Sequence, residues 1–247
     1  MSEASLKSLW TRGTSEPARR RSVGFLQSLP VLSRTAATDL GELAASVDVR
    51  GVRRGRPVWC VGEPAAHVVI VRSGVVRLSV QRQGRREATI GYFPRRTIMG
   101  WEGMSRGRTR TTRCEAWEDA VLWTVPQPAL VAWLQRHPDQ LAPWLALGAR
   151  RTSHLLQRLS LMTVRHAPVR LATALLDLIP QFGVRDGPEI IVDLRMTHRE
   201  LGALIGATRE TVSVAIDTFR RQGLIRTEPR RIVILHEHGL REVADAR

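Results

Sequence analysis

Lysine is nearly missing from this chain of 247 residues: of 38 basic side chains, only Lys7 is not an arginine. The arginines are spread along the whole length, so the bias reads as that of a GC-rich coding sequence and marks no site by itself. Cysteine is scarce as well. Cys60 and Cys114 alone cannot build a disulfide framework or a four-ligand metal cluster, so a reducing, cytoplasmic setting is expected, with both side chains acting as small buried hydrophobes. No apolar run approaches the ~20 residues of a membrane span, and the N-terminus has no apolar stretch of a secretory signal. No membrane partner is therefore expected. Gly-x-Ser-x-Gly, a phosphate loop, paired-carboxylate motifs and metal-ligand spacing are all missing. No catalytic residue and no metal site are expected, so the chain does not read as an enzyme.

What is present is a 43% hydrophobic chain, which excludes disorder as the whole answer, and a net charge of +15, which makes a polyanion a fitting partner. Residues 1–22 are polar, end in Arg19-Arg20-Arg21, and read as a flexible basic tail. Leu40, Leu43, Ala44 and Val47 fall at helical spacing. From about Gly55 the pattern turns to short strands: Pro57–Val61, His67–Arg72, Val75–Gln81, Glu87–Phe93, Thr111–Ala116 and Ala120–Val125. Turns at Gly62-Glu63-Pro64, Ser73-Gly74 and Gln83-Gly84 separate several of them, and this density implies a small antiparallel barrel or roll.

A short helix over Pro126–Arg136 leads to a longer one. Its seam runs Leu141, Leu145, Gly148, Thr152, Leu155, Leu159, Met162, in alternating steps of four and three residues. A face packed on the chain's own core would need no such strict period; a two-stranded coil does, so the spacing predicts a homodimer. Pro168 opens another helix expected to end before Pro180, and Gly183 with Asp186-Gly187-Pro188 marks a loop. A strand over Glu189–Leu194, two helices and a hairpin of Leu224–Thr227 with Arg231–Leu235 then describe a winged helix.

The stretch from Met196 to Ile225 carries the function. Thr197 and Glu200 form a capping box, Gly206 provides the turn, and Thr208 caps a second helix. Val212, Ala215, Ile216 and Phe219 give that helix its buried face, and Gly223 ends it. A short helix, a Gly turn and a second amphipathic helix make a helix-turn-helix. Arg209 and Glu210 lie in the first turn of the second helix, where Arg can fork onto guanine and Glu can accept from cytosine. Ser213, Val214 and Asp217 share the outer face. Thr197, Thr211 and the helix N-termini suit phosphate. Between Arg195 and Arg231 eight arginines face only Glu200, Glu210, Asp217 and Glu228.

Thr208-Arg209-Glu210-Thr211-Val212-Ser213 resembles the recognition-helix signature of the Crp/Fnr superfamily, usually Ser-Arg-Glu-Thr-Val-Ser-Arg. The final Arg is Val214 here, and an apolar side chain can meet a thymine methyl instead. Gly62-Glu63-Pro64-Ala65, Val69-Ile70 and Ser73-Gly74-Val75 resemble the start of the family's cyclic-nucleotide-binding-like roll. The resemblance runs from about Gly24 to Leu235. It implies an α+β chain: an antiparallel β-roll (double-stranded β-helix) over 23–136, a dimerisation helix over 137–164 and a winged helix-turn-helix over 165–247. It implies a homodimeric transcription regulator that reads a palindrome in double-stranded DNA, with a signal at the roll transmitted through the coil. RNA polymerase is a further partner of that reading, and the bacterial nucleoid its location when DNA-bound. Val214 motivates the rival, a ligand-binding scaffold of the same fold with degenerate DNA reading.

The effector segment is Gly100-Trp101-Glu102-Gly103-Met104 through Arg110-Thr111-Thr112. Arg110-Thr111 matches the family's Arg-Ser or Arg-Thr pair, a charge beside a hydroxyl that suits a cyclic phosphate. Trp101 interrupts the Gly-Glu pair of cyclic-AMP binders, and Gly-Trp-Glu-Gly-Met is closer to the fumarate-nitrate regulator branch. Leu155-Leu156 stand where the long helix would offer polar contacts to adenine, with Thr152 and Ser153 about one turn earlier. A cyclic nucleotide, another small anion such as a cyclic dinucleotide (Arg106, Arg108, Arg110 and Arg113 motivate it), and no small effector all stay open. Residues 1–30 hold no Cys, so an N-terminal iron–sulfur cluster is excluded. His67 and His154 are isolated, which speaks against haem.

Overall fold

A computed structural model describes residues 10–11, 16–80, 87–101, 109–163 and 166–246. The expected turn at Gln83-Gly84 and the candidates Glu102, Arg106 and Arg108 lie outside the described residues, as do the side chains of Arg19, Arg20, Arg21 and Met162. Two units make up the chain: residues 1–80 with 91–152, and residues 81–90 with 153–247. The boundary falls inside the long helix.

In the first unit, strands β1 (Trp10–Thr11), β2 (Asp48–Val52), β4 (His67–Ser73), β7 (Ile98–Met99) and β9 (Ala120–Pro126) form a sheet in the order β1-β2-β9-β4-β7. A second sheet runs β3-β8-β5-β6, from Pro57–Trp59, Arg113–Ala116, Val76–Val80 and Ala88–Phe93, and residues 88–90 of the last strand count with the second unit. The run Val68-Val69-Ile70-Val71 is apolar throughout because both faces of β4 are covered. Val68 and Ile70 point to a core with Phe25, Leu26, Leu29, Leu40, Trp123 and Trp133 from the flanking helices and β9. Val69 and Val71 point the other way, to Trp59, Val76, Cys114 and Leu122. The strand alternation thus splits one apolar run between two cores. Each fully buried large side chain contributes roughly 1.5–3 kcal/mol.

Three expectations change here. Residues 16–22, expected within a basic tail, begin a helix, Glu16–Gln27, whose Phe25 and Leu26 are in the core. The apolar anchors come only after the arginines, and burial of that end outweighs the polar start. Strand β2 has no counterpart in the sequence pattern; its Arg50 and Gly51 hide the alternation, and pairing with β9 supplies it. Cys114 is buried as expected, but Cys60 is only half-buried, because it follows the end of β3.

A helix over Gln127–Arg136 and a 3₁₀ turn at Pro138–Gln140 lead to the long helix, Leu141–Thr163. Trp144 and Leu147 pack on the first core. The neighbouring stripe does not: Leu141, Leu145, Leu155 and Leu159 are 45%, 73%, 48% and 63% exposed.

The second unit opens with a helix, Ala167–Phe182, packed against three further helices: His198–Ile205, Arg209–Arg221 and Glu237–Asp245. Its sheet runs β10-β11-β13-β12, from Gly183–Asp186, Glu189–Val192, Arg231–Ile234 and Ile225–Glu228. The first helix continues through Pro180 rather than stopping before it. Pro180 sits in the last turn, where its missing N–H forfeits one bond, and Phe182 beyond it is buried. Gly183 to Asp186 form an edge strand, not a loop: they pair with Glu189–Val192 around the Gly187-Pro188 turn. All four residues of that strand are exposed, so no alternation announces it. The last helix, with Leu240 fully buried, likewise goes beyond the sequence expectation.

Candidate DNA-reading site and effector segment

The two helices His198–Ile205 and Arg209–Arg221 are built from local signals. Thr197 Oγ1 accepts from the Glu200 N–H at 3.3 Å, and Glu200 Oε2 accepts from the Thr197 N–H at 2.6 Å, a complete capping box. Gly206 takes φ 67° and ψ 37°, the left-handed conformation the turn requires. Thr208 Oγ1 then accepts from the Thr211 N–H at 3.2 Å. Thr197, expected at a phosphate, and Thr208 therefore hold the helices in place.

Val212, Ala215, Ile216 and Phe219 bury the inner face of the second helix. Arg209, Glu210, Thr211 and Val214 are exposed on it. Among the described residues no carboxylate pairs with Arg209. Ser213 is half-buried and engaged: its hydroxyl donates to the Arg209 carbonyl at 3.0 Å and lies 2.8 Å from His198 Nδ1. It ties the two helices together instead of facing outward with its neighbours.

Two positioning residues have no signal in the sequence. Arg158 and Arg170 donate to the carbonyls of Leu204 and Ile205, each at 3.0 Å, and so satisfy the C-terminal end of the first helix. Arg158 also donates to the Ile90 carbonyl. No spacing rule predicts contacts across such sequence separations. In the wing, Arg226 forks onto Glu189 at 2.9 and 3.0 Å and touches Glu228 at 3.3 Å. An open groove of about 730 Å³ runs beside the second helix, lined by Val214, Asp217, Arg221, Ile225, Arg226 and Leu235.

In the first unit, Arg110 is only 3% exposed. Its Nη1 donates to the Gly100 carbonyl at 2.9 Å and its Nη2 to the His67 carbonyl at 2.6 Å. The guanidinium lies 4.3 Å over the Trp59 ring. Gly100 has φ 83°, and a Cβ there would meet Arg110 Nη1 at 2.8 Å, so the glycine admits the arginine. Gln127 donates to the same Gly100 carbonyl at 3.3 Å. Burial first, and the Arg110 charge second, lower the His67 imidazole below its ordinary pKa.

Of the expected effector residues, Gly100 and Arg110 are brought together. Thr111 is exposed, as is Thr152 on the long helix. Trp101 is half-buried, edge-on to Trp144, with the Arg151 guanidinium 5.1 Å over its ring. Arg113 pairs with Glu115 at 3.4 Å, and the same carboxylate holds Arg77 at 2.8 Å. Among the described residues no group of three or more His, Cys, Asp or Glu is placed to hold a metal ion, and no helix is long and apolar enough to cross a membrane.

Residues 169–243 match the family model of the Crp-like helix-turn-helix domain, and residues 49–137 that of the cyclic nucleotide-binding domain. The chain is 28% identical over 181 residues to the CRP-like cAMP-activated global transcriptional regulator of Mycobacterium tuberculosis, covering 73% of this chain and 81% of that protein. Among solved structures, a CRP/FNR-family transcriptional regulator from Thermus thermophilus aligns with TM-score 0.64 at 26% identity, over 81% of this chain and 99% of that one. FixK2 from Bradyrhizobium japonicum shares the fold, with TM-score 0.72 at 22% identity over 81% of this chain and 98% of that one.

Proposed function

We propose that this chain, which belongs to the Crp/Fnr superfamily of DNA-binding transcription regulators, works as a cytoplasmic homodimer that reads a two-fold-symmetric operator and catalyses nothing. The observation that carries the reading is the seam of Leu141, Leu145, Leu155 and Leu159 on one helix. Four exposed leucines on a heptad period are costly in water and cheap in a two-stranded coil. Two-fold symmetry then places two reading helices about 34 Å apart, in successive major grooves. Arg209 and Glu210 supply base contacts at each, and RNA polymerase is the partner that the bound dimer would meet.

The roll is the effector or interaction domain. The Mycobacterium tuberculosis relative is cAMP-activated by its name. In this chain the arginine at the matching position is occupied by two backbone carbonyls, so a cyclic nucleotide or dinucleotide would have to replace those bonds. Thermal-shift titration with cyclic mono- and dinucleotides separates a nucleotide sensor from a roll that takes none.

The central test is selection of duplexes from a random pool by the purified full chain. Recovery of two half-sites related by two-fold symmetry is the expected result, together with a dimer by sedimentation that Leu145→Asp with Leu159→Asp dissociates. Salt-insensitive binding with no preferred sequence would instead favour a scaffold that has lost DNA reading.

A further inference from the structure

We infer that Val214 reads the 5-methyl group of a pyrimidine, and that it fixes a thymine in each half of the operator close to the base pair contacted by Glu210. The inference rests on the reading above and adds a base identity to it. Val214 is 67% exposed, although the inner face of its helix is complete without it. With Glu210, Asp217 and Arg221 it forms one outward stripe at steps of four, three and four residues. Every other member of that stripe is charged.

The buried face of the helix does not ask for valine there. It is a poorer helix former than alanine, lysine or arginine, and its exposed methyls gain nothing from the protein core. A surface that approaches base edges gives it a use. The major-groove edge of thymine carries the one apolar group among the four bases, and an aliphatic side chain is its natural contact. Valine is stiff at χ1, so its two methyls are already placed when the helix docks.

Position follows from the helix. Four residues from Glu210 advance about 6 Å along the axis, one or two base steps. The neighbouring side chains leave Val214 this role: Ser213 is bound to His198, and Asp217 is engaged with Arg220 at 3.4 Å. Arg221 borders the same groove and suits a phosphate beside the methyl. The chemistry recognised is the methyl itself, so 5-methylcytosine at that position satisfies Val214 as thymine does.

The test uses the full chain and its selected operator. Each thymine is replaced in turn by deoxyuridine, which removes only the methyl, and equilibrium affinity is measured at fixed salt. One thymine per half-site should weaken binding about fourfold, and about 15-fold when both halves are changed. Val214→Ala should bind both duplexes alike. Replacing that thymine·adenine pair by cytosine·guanine, then methylating the cytosine at C5, should recover about fourfold for the original chain and nothing for Val214→Ala. If no demethylation matters, or the same loss persists in Val214→Ala, the inference is wrong while the operator reading stands. A selection that returns no sequence overturns both.

Discussion

Arg110 and Arg209 are each the cation of an expected recognition motif, yet the two units use them in opposite ways. In the roll the guanidinium is buried, stacked on Trp59 and bonded to the carbonyls of Gly100 and His67. In the reading helix it is exposed, and no carboxylate among the described residues claims it. A buried charge is tolerated when hydrogen bonds inside the fold hold it, and both Nη atoms of Arg110 are held so, which makes the side chain part of the structure that surrounds it. An exposed one keeps its donors for something outside. The difference teaches that a motif residue's type predicts chemistry, whereas its burial decides whether that chemistry is spent within the fold.

The largest effect should come from removing the buried arginine. Arg110→Ala takes a forked donor away from the His67 carbonyl and leaves the Gly100 carbonyl with the longer Gln127 bond, a loss of about 3 kcal/mol. All seven tryptophans precede Thr152, so their fluorescence reports the first unit alone. Its unfolding midpoint should fall steeply in urea, with or without any nucleotide. An unchanged midpoint would return Arg110 to the role of a ligand contact and dissolve the contrast.

Arg209→Ala should do the reverse. The tryptophan midpoint stays where it was, while affinity for the selected operator drops by about 1–3 kcal/mol and one base position loses its preference. A fall in stability with specificity intact would mean that Arg209, too, is structural. Thr208→Ala comes next, at about 1 kcal/mol, because it removes the cap on the reading helix. Its signature is helix melting in the second unit, seen by circular dichroism, with a uniform loss of affinity across operators and no change of preference.

The same contrast explains what is legible in the sequence. The helix-turn-helix rests on contacts three to five residues long: the Thr197–Glu200 box, the left-handed Gly206, the Thr208 cap and the four-residue buried face. Each leaves a mark at fixed spacing, and all of them stand in the structure. The roll's strands are visible through their apolar runs, with β2 hidden because Arg50 and Gly51 break its pattern. What stays out of reach is long-range. Arg110 meets a carbonyl 43 residues away, and Arg158 and Arg170 reach the end of another helix. Helical angle alone puts Ser213 on the outer face, and only His198, 15 residues earlier, turns it inward. The helix over Glu16–Gln27 escapes for a similar reason, since its anchor lies in a core assembled from distant strands.

The smallest effect is a slope, and it probes the buried arginine from the side of its neighbour. His67 is held below its ordinary pKa of 6.5 by burial and then by the Arg110 charge, with Asp48 opposing. The unfolded chain therefore takes up this proton before the folded chain does as the pH falls through about 6.5. Stability of the first unit should decline over that window and level off below the lowered value. His67→Gln should flatten the decline, measured by tryptophan fluorescence at a series of pH values. The second unit supplies the internal control, because Asp177 there is raised by burial and gains stability, rather than losing it, as protons are added above its ordinary range. Followed by circular dichroism, its acid response should have the opposite sign. If both units weakened alike and His67→Gln changed nothing, the charge of Arg110 would not be felt at His67, and the tight packing that sets the two arginines apart would be looser than the geometry describes.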